Sequence, residues 1–343
     1  MTKRILLFIL SGLLLIGLAC APKAPSADAD AAKKAVDAAC EKAEAAVETA
    51  KTPQEKVAAC AAFLKEHPES EHTLDMLDTA LYYQLEEVKD AAGALPIVEG
   101  LLSAVKDKEL LRKVKIAALP MWAKLKDADM VAARVREVSF GPLSFDQRMT
   151  IAHAGIEAGL WQMVDEYASG ALLVATPEAF KADHPGREFA PDRLERYVNL
   201  RKAECLAAAA WAKANLGQYD QAHSTFEQAR PVTNFSYLGS SETNFNLWLG
   251  RTLLMQKEYD KAFETLTPDA VFGGTPEALA AFKEVFVAKA GSEFGFDAKV
   301  EELRNKLAKA VLDFTLPDYA GKEVTYSKQK DGKVMLLAFW FPT

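Results

Sequence analysis

A helical periodicity that persists from residue 27 to about residue 310 constrains the fold of this chain most. Through that stretch the apolar positions follow helical spacing, and no long alternating run of β-branched residues interrupts them. Residues 29–51 predict a single Ala/Glu/Lys helix. Its apolar stripe consists of Ala32, Val36, Ala39, Ala43 and Val47. The sequence therefore predicts a mainly α fold.

A capping box marks the start of the second helix. Thr52-Pro53-Gln54-Glu55 joins a capping threonine to a proline at the first helical position, so this helix is predicted to begin at Pro53. The two helices should form an antiparallel hairpin with Cys40 and Cys60 within about one turn of facing each other. A disulfide forms there if the Cα atoms come within about 7 Å. The alternative is that both are small apolar helix residues.

Composition excludes several classes of protein. Half of the 343 residues are hydrophobic, so the chain is not disordered, and its length predicts roughly two domains. The net charge is 41 − 48 = −7, which argues against a nucleic-acid partner. Four cysteines are too few for a scaffold built on disulfides. Since the chain has no Gly-rich phosphate loop and no zinc-protease motif, we expect no cofactor.

The helical region carries two similar units. The first, residues 206–229, contains Gly217-Gln218-Tyr219-Asp220-Gln221-Ala222 followed by Phe226, and the second contains Leu249-Gly250 and then Tyr259-Asp260-Lys261-Ala262. Corresponding positions are 40 residues apart (219 to 259, 222 to 262 and 226 to 266). The pattern resembles tetratricopeptide repeats, whose usual period is about 34, and the excess is expected in the polar loop 233–244. The resemblance implies a helical-hairpin solenoid that either binds a protein partner or serves as a spacer.

The N-terminus has the form of a secretory signal. Lys3 and Arg4 precede an apolar run of 15 residues, from residue 5 to residue 19, which is short of the roughly 20 that a spanning helix needs. The segment Gly17-Leu18-Ala19-Cys20 resembles a bacterial lipobox, although Gly17 and Leu18 depart from the usual pattern. The resemblance implies cleavage before Cys20 and lipid attachment to it. The alternative is an ordinary signal peptide with a chance cysteine.

Lipidation would place the chain in a bacterial cell envelope, at the outer membrane and facing the periplasm in a Gram-negative cell. The predicted organisation is a signal peptide at 1–19, a lipid-anchored Pro-rich linker at 20–27 and a helical domain at 28–310. The remaining residues, 311–343, form a separate predicted segment that lacks this helical spacing.

That last segment changes to strands and turns. Residues 334–341 form an uninterrupted apolar run, typical of a strand buried on both faces. Three spaced motifs resemble the opening of thioredoxin-fold redoxins of the TlpA and peroxiredoxin-like (AhpC/TSA) kind. The positions that carry the resemblance are Asp313, Phe314, Pro317, Asp318, Gly321, Lys333, Phe339 and Trp340. It implies the start of a thioredoxin-like α/β domain, with turn chemistry between two short strands around residues 318–322.

The resemblance also implies a reactive residue that the printed sequence does not contain. In the family the apolar strand leads to a nucleophilic cysteine, which here would come immediately after Thr343. Thiol–disulfide exchange requires that thiolate, so the chain as given should lack dithiol oxidoreductase activity. We expect the residue after Thr343 to be selenocysteine. Its codon is a stop codon, which would explain why the printed sequence ends just before the nucleophile. A nonsense mutation, an assembly edge and a frameshift are the alternatives.

Two functions follow from these features. The first is an envelope-anchored thiol–disulfide or peroxide oxidoreductase in full-length form, and the second is a non-enzymatic scaffold lipoprotein. His67 and His72 flank Pro68, which is poor spacing for metal ligands, so we expect a solvated loop there and no metal site. A basic stretch, interleaved with apolar residues, predicts the solvent-facing side of an amphipathic helix, with contact to lipid headgroups as the alternative. It consists of Lys106, Lys108, Arg112, Lys113, Lys115, Lys124 and Lys126.

Overall fold

The protein is described here by a computed structural model that covers residues 27–184, 186–236, 238–273, 275–307, 313–317, 320–325 and 328. The predicted signal peptide and Cys20 lie outside these residues, as does the apolar run 334–341. The chain divides into two compact units, 1–167 and 168–343. This division falls inside the stretch 28–310, which the sequence treats as one helical domain. None of the helices in the covered ranges has the length and apolar character needed to cross a membrane.

The first unit consists of helices joined by short turns. Its helices are α1 (Ala27–Thr49), α2 (Pro53–Glu66), α3 (Thr73–Tyr82), α4 (Leu95–Ala104), α5 (Lys108–Ala117), α6 (Leu119–Lys124), α7 (Ala128–Val138) and α8 (Phe145–Ala158). A π-helical turn, Tyr83–Glu87, follows α3, and a 3₁₀ turn, Ala92–Ala94, precedes α4. Helix α9 (Trp161–Val174) crosses the boundary between the units.

The predicted hairpin at the start of the first unit is confirmed. Helix α1 packs on α2, and α2 begins at Pro53 behind a capping box. The Glu55 backbone N–H donates to Thr52 Oγ1 at 3.2 Å, and the Thr52 N–H donates to a Glu55 carboxylate oxygen at 3.2 Å. Two of the backbone donors that a helix N-terminus leaves unpaired are thereby satisfied.

The basic stretch contains one buried residue, so the prediction of a solvent-facing side is wrong for Arg112. Its side chain is 6% exposed. Nε donates to the Val138 carbonyl at 2.9 Å and Nη2 donates to the Pro142 carbonyl at 3.0 Å. Arg112 therefore donates to a carbonyl at the C-terminus of α7 that has no hydrogen-bond donor within the helix. The helix dipole also favours a cation at this end.

The second unit is also helical, with one small sheet. Its elements after α9 are α10 (Pro177–Asp183), α11 (Pro191–Asn215), α12 (Tyr219–Ala229), α13 (Phe245–Met255), α14 (Tyr259–Pro268), α15 (Pro276–Ala290), α16 (Phe296–Leu307), β1 (Thr315–Pro317) and β2 (Glu323–Thr325). Helix α11 packs on α12 and α13, α13 packs on α14, and α14 packs on α15. The structure is thus mainly helical, as predicted.

Two of the three pairs of positions that repeat at an interval of 40 residues lie in the core of the second unit, whereas Tyr219 and Tyr259 are half-buried. Ala222, Ala262, Phe226 and Leu266 are each 0% exposed. At Gly250 of α13, a Cβ atom would lie 2.4 Å from Cγ of Leu266 in α14. A glycine is therefore needed for these two helices to approach as closely as they do.

The long connection between α12 and α13 is fastened by a buried carboxylate. Asp269, 7% exposed, accepts hydrogen bonds from the Ser241 N–H at 2.8 Å and from Asn246 Nδ2 at 2.9 Å. Asn246 Nδ2 also donates to the Gly239 carbonyl at 2.9 Å. Burial raises the pKa of Asp269 above its usual value, and the donors from Asn246 and Ser241 only partly offset that rise.

The predicted turn between two short strands is confirmed. β1 and β2 pair antiparallel, with Thr315 opposite Thr325 and Pro317 opposite Glu323. Gly321 in the connecting turn has a φ of 78°, a left-handed conformation that glycine adopts without strain. The side chains of Thr315 and Thr325 lie 3.0 Å apart across the hairpin, Oγ1 to Oγ1.

Candidate protein-binding groove

An apolar groove of about 420 Å³ lies between α2 and α4 in the first unit. Its lining residues are Ala61, Leu64 and Lys65 from α2 and Pro96, Ile97, Gly100, Leu101 and Ala104 from α4. Leu64 and Leu101 are each 2% exposed and form its floor. Lys65, an exposed residue in the last turn of α2, is the one charged residue among those that line it. Its size and lining suit apolar side chains.

Gly100 lines the open part of this groove. It lies inside α4, and a Cβ atom added there would meet nothing within 4 Å. Glycine in a helix interior costs about 1 kcal/mol relative to alanine. At Gly250 the neighbouring Leu266 leaves no room for a side chain, but at Gly100 no neighbouring atom excludes one. The absence of a side chain instead leaves the backbone of α4 accessible to an approaching ligand.

The two glycines give a paired prediction of opposite sign. Gly100→Ala should raise the free energy of unfolding by about 1 kcal/mol, because it improves helix propensity in open space. Gly250→Ala should lower it by up to about 2 kcal/mol, because overpacking against Leu266 costs about 1–3 kcal/mol and the gain in helix propensity offsets about 1 kcal/mol of that cost. Urea unfolding followed by circular dichroism measures both. Equal shifts of the same sign would contradict the packing described for α13 and α14.

A second groove, of about 460 Å³, lies among α12, α13 and α14. It is lined by His223, Glu227, Arg230, Leu249, Leu253, Glu258, Lys261, Glu264 and Thr265. Arg230 donates to Glu227 at 3.0 Å, and this contact holds the pKa of Glu227 below its usual value. Leu249 and Leu253 are only 7% and 5% exposed. Charged groups that pair with each other dominate this groove, so it has less apolar surface to offer than the groove between α2 and α4.

The cysteines do not form a reactive site in the part of the chain that the structure covers. Cys40, Cys60 and Cys205 are all buried, and none of them forms a disulfide, so the disulfide that the sequence allowed between Cys40 and Cys60 is not present. Burial raises the pKa of Cys60 to about 11 and also raises that of Cys205. For Cys40, burial and the neighbouring Glu44 carboxylate raise the pKa. A buried thiol with a raised pKa carries little thiolate at neutral pH and is a poor nucleophile.

This environment predicts that the three thiols are protected in the folded chain. At pH 7 they should react with iodoacetamide no faster than the protein unfolds. In 6 M guanidinium, where the chain is unfolded, all three should react promptly. Mass spectrometry of peptides locates the label. Prompt labelling of Cys60 at neutral pH would contradict its burial.

The redoxin-like positions are only partly covered by the structure. Asp313, Phe314, Pro317 and Gly321 lie in or beside the β1–β2 hairpin, where Asp313, Pro317 and Gly321 are exposed and Phe314 is half-buried. The remaining positions, together with the proposed lipidation site, lie outside the covered residues; they are Asp318, Lys333, Phe339, Trp340 and Cys20.

Sequence reasoning missed two features of the first unit. One is the groove, whose signal in the sequence is a lone glycine at position 100 within a helical pattern. The other is a cluster formed by Asp37, Glu71 and His72. Asp37 is 34 residues from Glu71 in the chain (71 − 37 = 34), so no local spacing could have indicated it.

The fold and groove together define a mainly helical protein built from packed helix pairs, with one small antiparallel hairpin. No protein-family model matches the chain, and no curated protein matches it.

Proposed function

We propose that this protein is a non-enzymatic helical adaptor, tethered to a bacterial envelope through a lipid on Cys20, that binds a protein partner. The observation that carries this proposal is the apolar groove between α2 and α4, which Gly100 lines without a side chain. The 40-residue interval between similar helix pairs supports a tetratricopeptide-like construction, in which paired helices present surfaces to partners.

The chemistry of the groove indicates the kind of partner. An amphipathic helix places apolar residues at intervals of three and four positions and can lay them into such a groove. The floor of Leu64 and Leu101 suits those side chains, and the small residues Ala61, Gly100 and Ala104 allow a close approach of a backbone. A carboxylate beside the apolar face of the partner would reach Lys65. The partner is therefore an amphipathic helix with an acidic residue at one edge.

A selection from displayed peptides tests this proposal. The full chain should select peptides with apolar residues at helical spacing and an acidic residue near one end. Fluorescence polarisation of a selected peptide should show at least tenfold weaker binding to Gly100→Phe, which fills the groove. Lys65→Glu should weaken binding less, since an exposed charge pair contributes little.

The matched control is Thr265→Phe, which adds the same ring to the groove among α12, α13 and α14. It should leave the affinity unchanged. Equal loss in both variants, or none in Gly100→Phe, would show that the peptide binds elsewhere. Circular dichroism of each variant confirms that the helices are retained.

The tether has its own test. Cys20→Ser should move the protein from the membrane fraction to the soluble fraction, because the sulfur that would carry the lipid is gone. Immunoblots of fractionated cells measure the shift, and Cys205→Ser is the control. Retention of Cys20→Ser in the membrane fraction would contradict a lipid anchor at this residue.

A second candidate function is a thiol–disulfide or peroxide oxidoreductase, with the helical region positioning its partners. It is supported by the β1–β2 hairpin, which has the strand–turn–strand form expected of the redoxin-like motif around Asp313 and Gly321. The gene sequence after the codon for Thr343 tests it. A UGA codon, or a cysteine codon, followed by the rest of a thioredoxin-like domain would support it. Any other continuation would exclude it.

A further inference from the structure

Three potential metal ligands converge on the surface of the first unit. Asp37 comes from α1, while Glu71 and His72 come from the turn that joins α2 to α3. One ligand atom of each residue lies within 4.8 Å of the others. The closest pair is His72 Nε2 and Asp37 Oδ1, at 3.1 Å. This cluster lies apart from the residues that line the groove between α2 and α4.

The imidazole of His72 is held in place before any ion arrives. Its ring packs edge-on against Phe63, with the ring centres 6.5 Å apart, and Phe63 is 4% exposed. The backbone of His72 begins α3, where its carbonyl accepts the Met76 N–H at 3.0 Å. Nε2 faces the carboxylate of Asp37. A ligand whose ring and backbone are both held loses little freedom on binding a metal.

A cation already balances part of the charge of this cluster. Lys33 Nζ lies 2.9 Å from a Glu71 carboxylate oxygen, and both side chains are more than half exposed, at 62% and 57%. Exposed pairs of this kind contribute little to stability, so Glu71 can exchange Lys33 for another cation at low cost. Two carboxylates would neutralise a doubly charged ion.

We propose that Asp37, Glu71 and His72 bind a divalent transition-metal ion, for which zinc is the best match. Zinc accepts imidazole nitrogen and carboxylate oxygen together, at about 2.0–2.2 Å, with water completing a tetrahedral site. Magnesium and calcium favour all-oxygen ligand sets. At these bond lengths the ligand atoms of a tetrahedral site lie about 3.4 Å apart. The three ligand atoms, which lie within 4.8 Å of one another, must therefore draw closer, and the exposed Glu71 side chain has room to rotate toward the other two. Lys33 leaves Glu71 in the process.

The bound ion would join α1 to the turn before α3. Because the ligands come from segments about 35 residues apart, they are brought together only in the folded chain, and the ion therefore stabilises the native state. Zinc binding would strengthen the attachment of α1, the helix that follows the linker, to the rest of the first unit.

Titration of the full chain with zinc chloride, followed by calorimetry and by thermal melting, tests this site. At a hundredfold excess over its dissociation constant, zinc should raise the melting temperature by about 5–10 °C. His72→Gln and Asp37→Asn should each weaken binding by roughly tenfold or more. Magnesium should produce no shift. Cobalt should give a visible d–d absorption band that His72→Gln alters.

Two further variants make the test specific. His67→Gln removes the other histidine of this turn, which packs on Phe63 at 5.2 Å but is not part of the cluster, and it should leave zinc affinity unchanged. Lys33→Gln should tighten binding, because it removes the competing cation from Glu71. No zinc binding by the full chain, or equal affinity in wild type and His72→Gln, would overturn the proposal.

Discussion

Phe226→Ala should lower the free energy of unfolding of the second unit by about 3–5 kcal/mol, the usual cost of removing a large aromatic side chain from a core. Phe226 is 0% exposed, and its ring meets that of Phe245 edge-on with the centres 5.7 Å apart. Removal therefore costs both buried area and an aromatic contact between α12 and α13. Urea unfolding followed by circular dichroism measures the loss.

Two variants control this prediction. Phe294→Ala removes a ring that is 92% exposed and should change stability by no more than about 0.5 kcal/mol. Phe226→Leu installs the side chain that the second repeat unit has at the corresponding position 266, and it should lose less than the alanine variant. A loss below about 1 kcal/mol for Phe226→Ala would contradict the placement of this ring in the core.

Arg112→Met should lower the free energy of unfolding of the first unit by about 1–3 kcal/mol. The methionine keeps an aliphatic stem but leaves the carbonyls of Val138 and Pro142 without the donors that Arg112 supplies. A buried polar group such as the Val138 carbonyl costs about 1–3 kcal/mol when it loses its partner, whereas water can reach the carbonyl of the exposed Pro142. Chemical denaturation of the full chain measures the effect.

Arg112→Lys separates charge from geometry. A lysine ammonium cannot reproduce the planar fork of donors that reaches two carbonyls, so it should recover only part of the loss. Arg136→Met removes an exposed arginine of α7 and should change stability by no more than about 0.5 kcal/mol. If Arg112→Met and Arg136→Met lowered the free energy of unfolding equally, the hydrogen bonds from Arg112 to the end of α7 would not stabilise the fold.

The helices were predictable because their signals are local. Helix α2 begins where the Thr52 capping box predicts, and α1 covers Ala27–Thr49 where the pattern predicts 29–51. The turn between β1 and β2 was likewise predictable, because a glycine at 321 permits a backbone conformation that other residues rarely adopt. Each of these signals depends on residues only a few positions apart.

The candidate sites were less predictable, since they depend on contacts between distant segments. Arg112 looked like one of several solvated cations, and only the approach of the loop after α7 makes it a buried donor. His72 looked like a poor metal ligand because the other histidine of this turn, His67, lies five residues away across Pro68. Its partner in space is Asp37, on a different helix.

The sequence alone determined that this protein is mainly helical, roughly where α1 lies and where α2 begins, because capping, periodicity and turn chemistry act over short stretches of the chain. The tertiary structure decided which glycine is a contact and which is an opening: Gly250 lies against Leu266, whereas Gly100 faces empty space. That difference arises from how α13 meets α14 and how α2 meets α4. Such packing is settled by side chains far apart in the chain, and no local pattern contains it.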